Sequence, residues 1–351
     1  MMIIFATANQ LYRLFMQKSS KKNKKFKKYY NKANMNFTGG IMYRTDLAYE
    51  ANESLAQKVE GIVLKTQNYS HGEIVELEIT DKEAEKTVGK KVGKYITYET
   101  KSLKNLSQKS RNEVIDILAK AIRDVSDMSR ERVLVVGLGN RNITADALGP
   151  KTLDKIKVTR QYFKAYNKEY DEDFNEVSIL EPGVLGTTGI ETMNTITGVV
   201  EKIKPTLLIV IDALASRKMR RLCAVVQITD AGIEPGSGIG NMQGSLNRES
   251  IGTKVVAVGI PTVVDTATIV NDTIEMMEET LRDKTDDVGQ IMGILSDLEY
   301  NEKHAFIKEI LSPMYGESIV TPSYVDEIIN SLSELLAESI NKAVHPGYVN
   351  S

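Results

Sequence analysis

Val133-Leu134-Val135-Val136-Gly137-Leu138-Gly139-Asn140 is an uncharged apolar run that closes on a glycine turn. Its β-branched residues favour a strand, and the lack of any polar alternation means that strand is buried on both faces. Leu207-Leu208-Ile209-Val210-Ile211-Asp212 repeats the pattern and ends on an acid. Doubly buried strands belong to sheets covered by helices on both sides. Around these two runs, strands are predicted at 61–65, 73–79, 95–99, 133–136, 176–180, 207–211, 222–228 and 254–258. Helical periodicity fits 111–127, 147–160, 189–202, 266–282 and 324–342, and pieces of 283–314 are too ambiguous to assign. The reading is an α/β fold: a mostly parallel central sheet with helices on both faces, an N-terminal antiparallel β elaboration and a helical C-terminus. The alternating polarity of 73–79 marks the antiparallel part.

At 351 residues, with 42% apolar and 26% charged side chains, the chain has the composition of a soluble globular protein with room for one large core. Cys223 is the single cysteine, which excludes an internal disulfide and suits a reducing cytoplasm. It lies in the apolar run 222–226 and reads as a buried small hydrophobe rather than a nucleophile. His71, His304 and His345 are scattered, without metal-ligand spacing and without a neighbouring nucleophile. The net charge of −2 conceals an asymmetry: residues 1–45 hold ten Lys or Arg and no acid, leaving 35 bases against 47 acids. An acidic body suits a basic partner and, equally, an ordinary solvated surface.

In residues 1–41 the basic run follows the apolar part, the reverse of a secretory signal, and the apolar part is too short and interrupted to span a bilayer. Thr38-Gly39-Gly40-Ile41-Met42 back-translates to a string containing AGGAGG, a ribosome-binding sequence, just ahead of a start codon. The expectation is that translation begins at Met42 and that 1–41 is a basic extension from a mis-assigned start. A tail for nucleic acid or a membrane surface is the other reading.

Gly137-Leu138-Gly139 after a strand suggests a dinucleotide fold, but Asn142 stands where the third glycine of that motif would pack helix against strand. Asp146 lies between this strand and the next helix and reads either as a helix cap or as an acid on the carboxyl edge of the sheet. Asp212 closes the second buried run, on the edge where open α/β sheets bind ligands. If the two strands are neighbours, both carboxyls face one cleft. Two close carboxyls share a proton: the ionised one draws a proton from water, while the neutral one polarises a peptide carbonyl and protonates the leaving amine. Arg217 reads as a holder of a substrate acid or as a partner of a surface carboxylate. Residues 232–252 carry six glycines, with Gly236 and Gly238 flanking Ser237, and read as a groove cover or as a surface excursion. Asp265 sits in a single copy of a pepsin-like motif in a βα context, so it is read as beginning the next helix. Neither Ser237 nor Ser245 has the G-x-S-x-G setting of a nucleophile.

Tyr43-Arg44-Thr45-Asp46-Leu47-Ala48, Gly137-Leu138-Gly139-Asn140, Thr144–Pro150, Glu181–Thr192, Ile211–Arg217, Pro235–Gly238, Gly240-Asn241 and Gly259–Asp265 together resemble the spore germination protease family. That resemblance implies an endopeptidase that degrades small acid-soluble spore proteins, in the cytoplasm of the forespore and spore core. It also implies an atypical aspartic mechanism on Asp146 and Asp212, a self-processing zymogen and a homo-oligomer, typically a tetramer. Arg44–Ala48 resembles both the family's processing site and its substrate sites, so cleavage is expected between Asp46 and Leu47. Residues 42–46 are then a pro-segment and 47–351 one α/β peptidase domain. No cofactor, nucleic acid or membrane partner is expected. Gly137-Leu138-Gly139-Asn140 followed by an acid is also similar to hydrogenase maturation proteases, which keeps a divalent metal at Asp146 and Asp212, or a non-catalytic binding module, as the alternative. No histidine follows Asp212 closely enough to complete such a metal site, the next being His304.

Overall fold

Strand β4 (Arg132–Gly137) forms where the opening run predicts it, and the sheet assembles around it. The computed structural model describes residues 45–53, 55, 59–104, 106–128, 131–166, 171–235, 244–281, 307 and 319–348, with main chain only over 275–281. The expected extension 1–41, Met42, the candidates Gly236, Ser237 and Gly238, His304 and nearly all of 283–314 lie outside these residues. Tyr43–Ser351 forms one unit.

The other strands are β1 (Ile62–Tyr69), β2 (Gly72–Ile79), β3 (Gly93–Glu99), β5 (Glu176–Leu180), β6 (Leu207–Ser216), β7 (Val225–Thr229), β8 (Lys254–Asp265) and β9 (Ile319–Val320). Their order is β1-β2-β3-β7-β8-β6-β4-β5, with β9 on β8. Only the β5-β4-β6-β8 part is parallel, while β1, β2, β3, β7 and β9 pair antiparallel. The expectation of a mostly parallel sheet is therefore corrected: the sheet is mixed. Residues 217–224, between β6 and β7, are too few for the crossover of about a dozen residues that parallel strands need, so β7 runs back against β8.

The helices are α1 (Ala48–Glu53), α2 (Lys82–Val88), α3 (Gln108–Ser126), α4 (Leu148–Leu153), α5 (Arg160–Ala165), α6 (Leu185–Thr188), α7 (Thr192–Ile203), α8 (Arg248–Ile251), α9 (Thr266–Leu281) and α10 (Val325–Val344). Of the helix expected over 147–160 only α4 (Leu148–Leu153) forms, and α5 begins where the expected helix ends. The β-branched residues Ile156, Val158 and Thr159 disfavour its continuation, and the Thr159 N–H bonds Val177 O at 3.0 Å instead.

Alternation within the strands sorts side chains to two faces. Val133, Val135, Ile209, Ile211, Val226, Val258 and Ile260 pack under α3 and α10, against Leu118, Ile122, Leu332 and Leu336. Leu134, Val136, Leu138, Leu208, Val210 and Val255 face the other way, under Ile196 of α7. Each such aliphatic burial contributes about 1.5–3 kcal/mol. On this second face, beyond α7, the N-terminal segment closes the sheet: Leu47 is buried against Leu214 and Val225, and Ala48 and Ala51 of α1 lie over Leu77, Ile79 and Tyr95.

Helix α1 is held by charge as well. The fully buried Arg221 guanidinium contacts Glu50 at 3.3 Å, Glu53 at 2.7 Å and Glu99 at 2.9 Å. Burial pushes the Glu53 carboxyl up, but hydrogen bonds from Arg221 and Lys218 outweigh it and bring it down to about 2. Among the described residues, no helix is long and apolar enough to cross a membrane.

Candidate active site

Strands β4 and β6 are parallel neighbours, with Gly137 opposite Ile211, and the Leu138 N–H prolongs the ladder to Ile211 O at 2.8 Å. Beyond that point β4 turns away while β6 continues, which makes Asp212 the first β6 residue past the end of its neighbour. Asp212 lies within β6 rather than at its tip, because pairing to β8 carries the strand on to Ser216.

The turn after β4 needs glycine. Gly139 has φ +107°, and a Cβ there would come within 2.0 Å of Asp146 O. Gly137 and Gly149 also meet, since a Cβ on Gly137 would lie 2.6 Å from the Gly149 backbone. The glycines that suggest a dinucleotide loop thus serve close packing of α4 on the sheet and the folding of the Asp146 loop onto β4. Asp146 sits in a short 3-10 turn, Thr144–Asp146, and the Thr262 hydroxyl ties that turn to β8 by donating to Ala145 O at 2.6 Å. The capping reading does not hold: the N-cap of α4 is Ala147, and the Asp146 carboxylate instead accepts the Asn140 N–H at 2.7 Å.

Both acids are half-buried, and their electrostatics differ. Burial raises the Asp146 carboxyl, opposed by the Asn140 N–H bond that favours its ionised form. Burial lifts Asp212 well above the usual carboxylate range; the charges of Asp146 and Asp46 add to this, and the Ala213 N–H bond opposes it. Of the two, Asp212 more readily holds a proton and Asp146 more readily ionises. Such a pair has the parts for water activation and for protonation of a leaving group.

Asp46 and Leu47 lie close by. The Asp46 N–H donates to Ala215 O at 2.9 Å, and the Ala215 N–H donates back to Asp46 Oδ2 at 2.7 Å. Leu47 is 1% exposed. The Thr45 hydroxyl accepts the Leu47 N–H at 3.1 Å and donates to Glu50 Oε2 at 2.5 Å. The Gln227 amide reaches the same segment, its Nε2 donating to Asp46 O at 3.1 Å and its Oε1 accepting the Ala48 N–H at 2.7 Å. Arg217 follows β6 directly, and its main-chain N–H donates to Glu50 Oε2 at 2.6 Å. The glycine-rich loop is closed at its base by Ile233 pairing with Leu246, and Ile233 packs beside Leu47. Asp265 accepts the Ala267 N–H at 2.7 Å at the start of α9, in keeping with a helix-starting acid.

Sequence reasoning missed Glu50, Arg221 and Gln227. A signal for Gln227 existed, a lone amide inside the apolar run Val225-Val226-Gln227-Ile228. Glu50 stands three residues after Leu47, the N3 place of a helix that begins there. Among the described residues no group of three or more His, Cys, Asp or Glu side chains is placed to hold a metal ion.

The family model of the germination proteases matches residues 42–288 and 275–351. A germination protease of Caldanaerobacter subterraneus subsp. tengcongensis is 40% identical over 306 residues, covering 87% of this chain and 94% of the relative. The germination protease of Clostridium tetani is 40% identical, covering 86% and 95%, and that of a Geobacillus species is 38% identical, covering 86% and 93%. On a match that runs through both acids and most of the sheet, the chain belongs to the germination protease family.

Proposed function

We propose that this chain is an endopeptidase that hydrolyses small acid-soluble spore proteins during germination, by an atypical aspartic mechanism on Asp146 and Asp212. The observation that carries the mechanism is the setting of these acids about two adjacent parallel strands, Asp212 on β6 just past its last pair with β4 and Asp146 in the turn that follows β4, each lifted by burial and with the charge of Asp146 acting on Asp212. Asp146, held toward its ionised form by the Asn140 N–H, takes a proton from the attacking water. Asp212, the more readily protonated, polarises the carbonyl and then protonates the departing nitrogen. The resemblance supports a homo-oligomer, a tetramer, acting in the cytoplasm of the spore core. It also supports a zymogen that removes its own N-terminus between Asp46 and Leu47.

Cleavage of a purified small acid-soluble spore protein by the Leu47–Ser351 form tests the reading, with Asp146→Asn and an excess of chelator in parallel. We expect cutting that survives the chelator and falls on the order of 10²–10⁴-fold in Asp146→Asn. Loss on chelation, restored by one divalent metal, would replace the acid pair with a metal-assisted peptidase.

A further inference from the structure

We propose that Gln227 binds the carbonyl of the bond the chain cuts in itself, and stabilises the oxyanion formed there. This rests on the reading of Asp46–Leu47 as the processing bond.

That bond lies between the two hydrogen bonds of one side-chain amide. Gln227 Nε2 donates to the Asp46 carbonyl oxygen at 3.1 Å, and Oε1 accepts the Ala48 N–H at 2.7 Å. Only one orientation of the amide satisfies both contacts, donor toward carbonyl and acceptor toward N–H. Gln227 is 6% exposed, so water does not readily replace either partner. The residues on both sides of the bond are fixed too: Asp46 by its two bonds to Ala215, and Leu47 by burial against Leu214 and Val225.

The sheet register places this amide relative to the acids. Gln227 of β7 pairs with Gly259 of β8, and Gly259 pairs with Asp212 of β6. Residues paired across strands share a face, so Gln227 and Asp212 stand on the same side, two strand spacings or about 10 Å apart between Cα atoms. The residue between them, Gly259, has no side chain, and the Leu214 side chain lies over it. A carbonyl held by Gln227 is thus presented on the face from which Asp212 projects.

The chemistry balances with one water consumed. Water oxygen attacks the Asp46 carbonyl carbon as its proton passes to ionised Asp146. The carbonyl π electrons move to oxygen, where the Gln227 N–H meets the developing negative charge. Collapse restores C=O and breaks the C–N bond, and neutral Asp212 gives its proton to the Leu47 nitrogen. A 3.1 Å contact in the resting state strengthens as charge builds on the oxygen, so it favours the transition state over the intact peptide.

The test follows conversion of the full chain by intact mass, scoring the appearance of the Leu47 terminus. Gln227→Leu, which keeps the size but lacks the donor, is expected to slow conversion on the order of 10²–10³-fold. Gln227→Glu keeps an acceptor for Ala48 and donates only when protonated. It should convert slowly near neutral pH and regain rate, relative to wild type, as the pH falls. Conversion of Gln227→Leu at the wild-type rate overturns the assignment of Gln227 and leaves the processing reading intact. Equal slowing of both variants with no acid recovery also overturns it, because a merely structural amide behaves that way. Wild-type cutting at a different bond overturns both.

Discussion

Asp212 carries a burden in the fold that its neighbours on β6 do not. Its carboxyl is raised above the ordinary value of 3.8 by burial and by the charges of Asp146 and Asp46, so the folded state disfavours its ionised form. The sign follows: the folded state is free of this penalty below the unfolded-state value and destabilised as pH rises through the raised one. Asp212→Asn should therefore raise the melting temperature near neutral pH, with the gain fading as pH drops below about 4. Melting curves across pH check this; a gain independent of pH would deny the carboxyl its electrostatic strain. Asp146 and Asp212 were legible as candidates because one closes a buried apolar run and the other lies in the turn after such a run, patterns that survive in one dimension. Which of them keeps the proton was not legible, since the Asn140 N–H and the Asp46 charge reach the pair only through the fold. Gln227 was hidden for the same reason: its partners lie at Asp46 and Ala48, far away in sequence.

At the scale of elements, strand positions were readable, because β-branched apolar runs announce themselves locally. Strand order and direction were not, since they depend on connection lengths and on which edge a returning strand finds. Hence β7 runs antiparallel where a parallel sheet was expected. Helix α1 is docked in part through one buried side chain, Arg221. Removing the Arg221 guanidinium leaves Glu50, Glu53 and Glu99 without their shared cation in a buried setting, which costs about 3–5 kcal/mol. Arg221→Met should lower stability by that amount and speed hydrogen exchange across residues 47–53, while exchange within α3 changes less. Unaltered exchange in α1 would show that the apolar contacts of Leu47, Ala48 and Ala51 suffice to hold it.

For the molecule as a whole, the proposed processing bond sits on the same unit that bears the acids, so the proposed conversion should be first order in chain. Its half-time should stay constant over about a hundredfold dilution, against the proportional slowing expected if one molecule cut another. A dilution series followed by mass distinguishes the two. The anchoring of α1 bears on what happens once the bond is broken. After the proposed cut, Leu47 and α1 would stay pinned by buried aliphatic contacts and by Arg221, whereas the described contacts of Asp46 are main-chain and polar bonds. The proposed cut would thus leave the Leu47 end anchored, and the Asp46 end would be the one to depart. Resealing would require the departed acid end to find its seat again from bulk solution. Dilution alone would then make the proposed change a one-way ratchet, with no need for the folded body to rearrange.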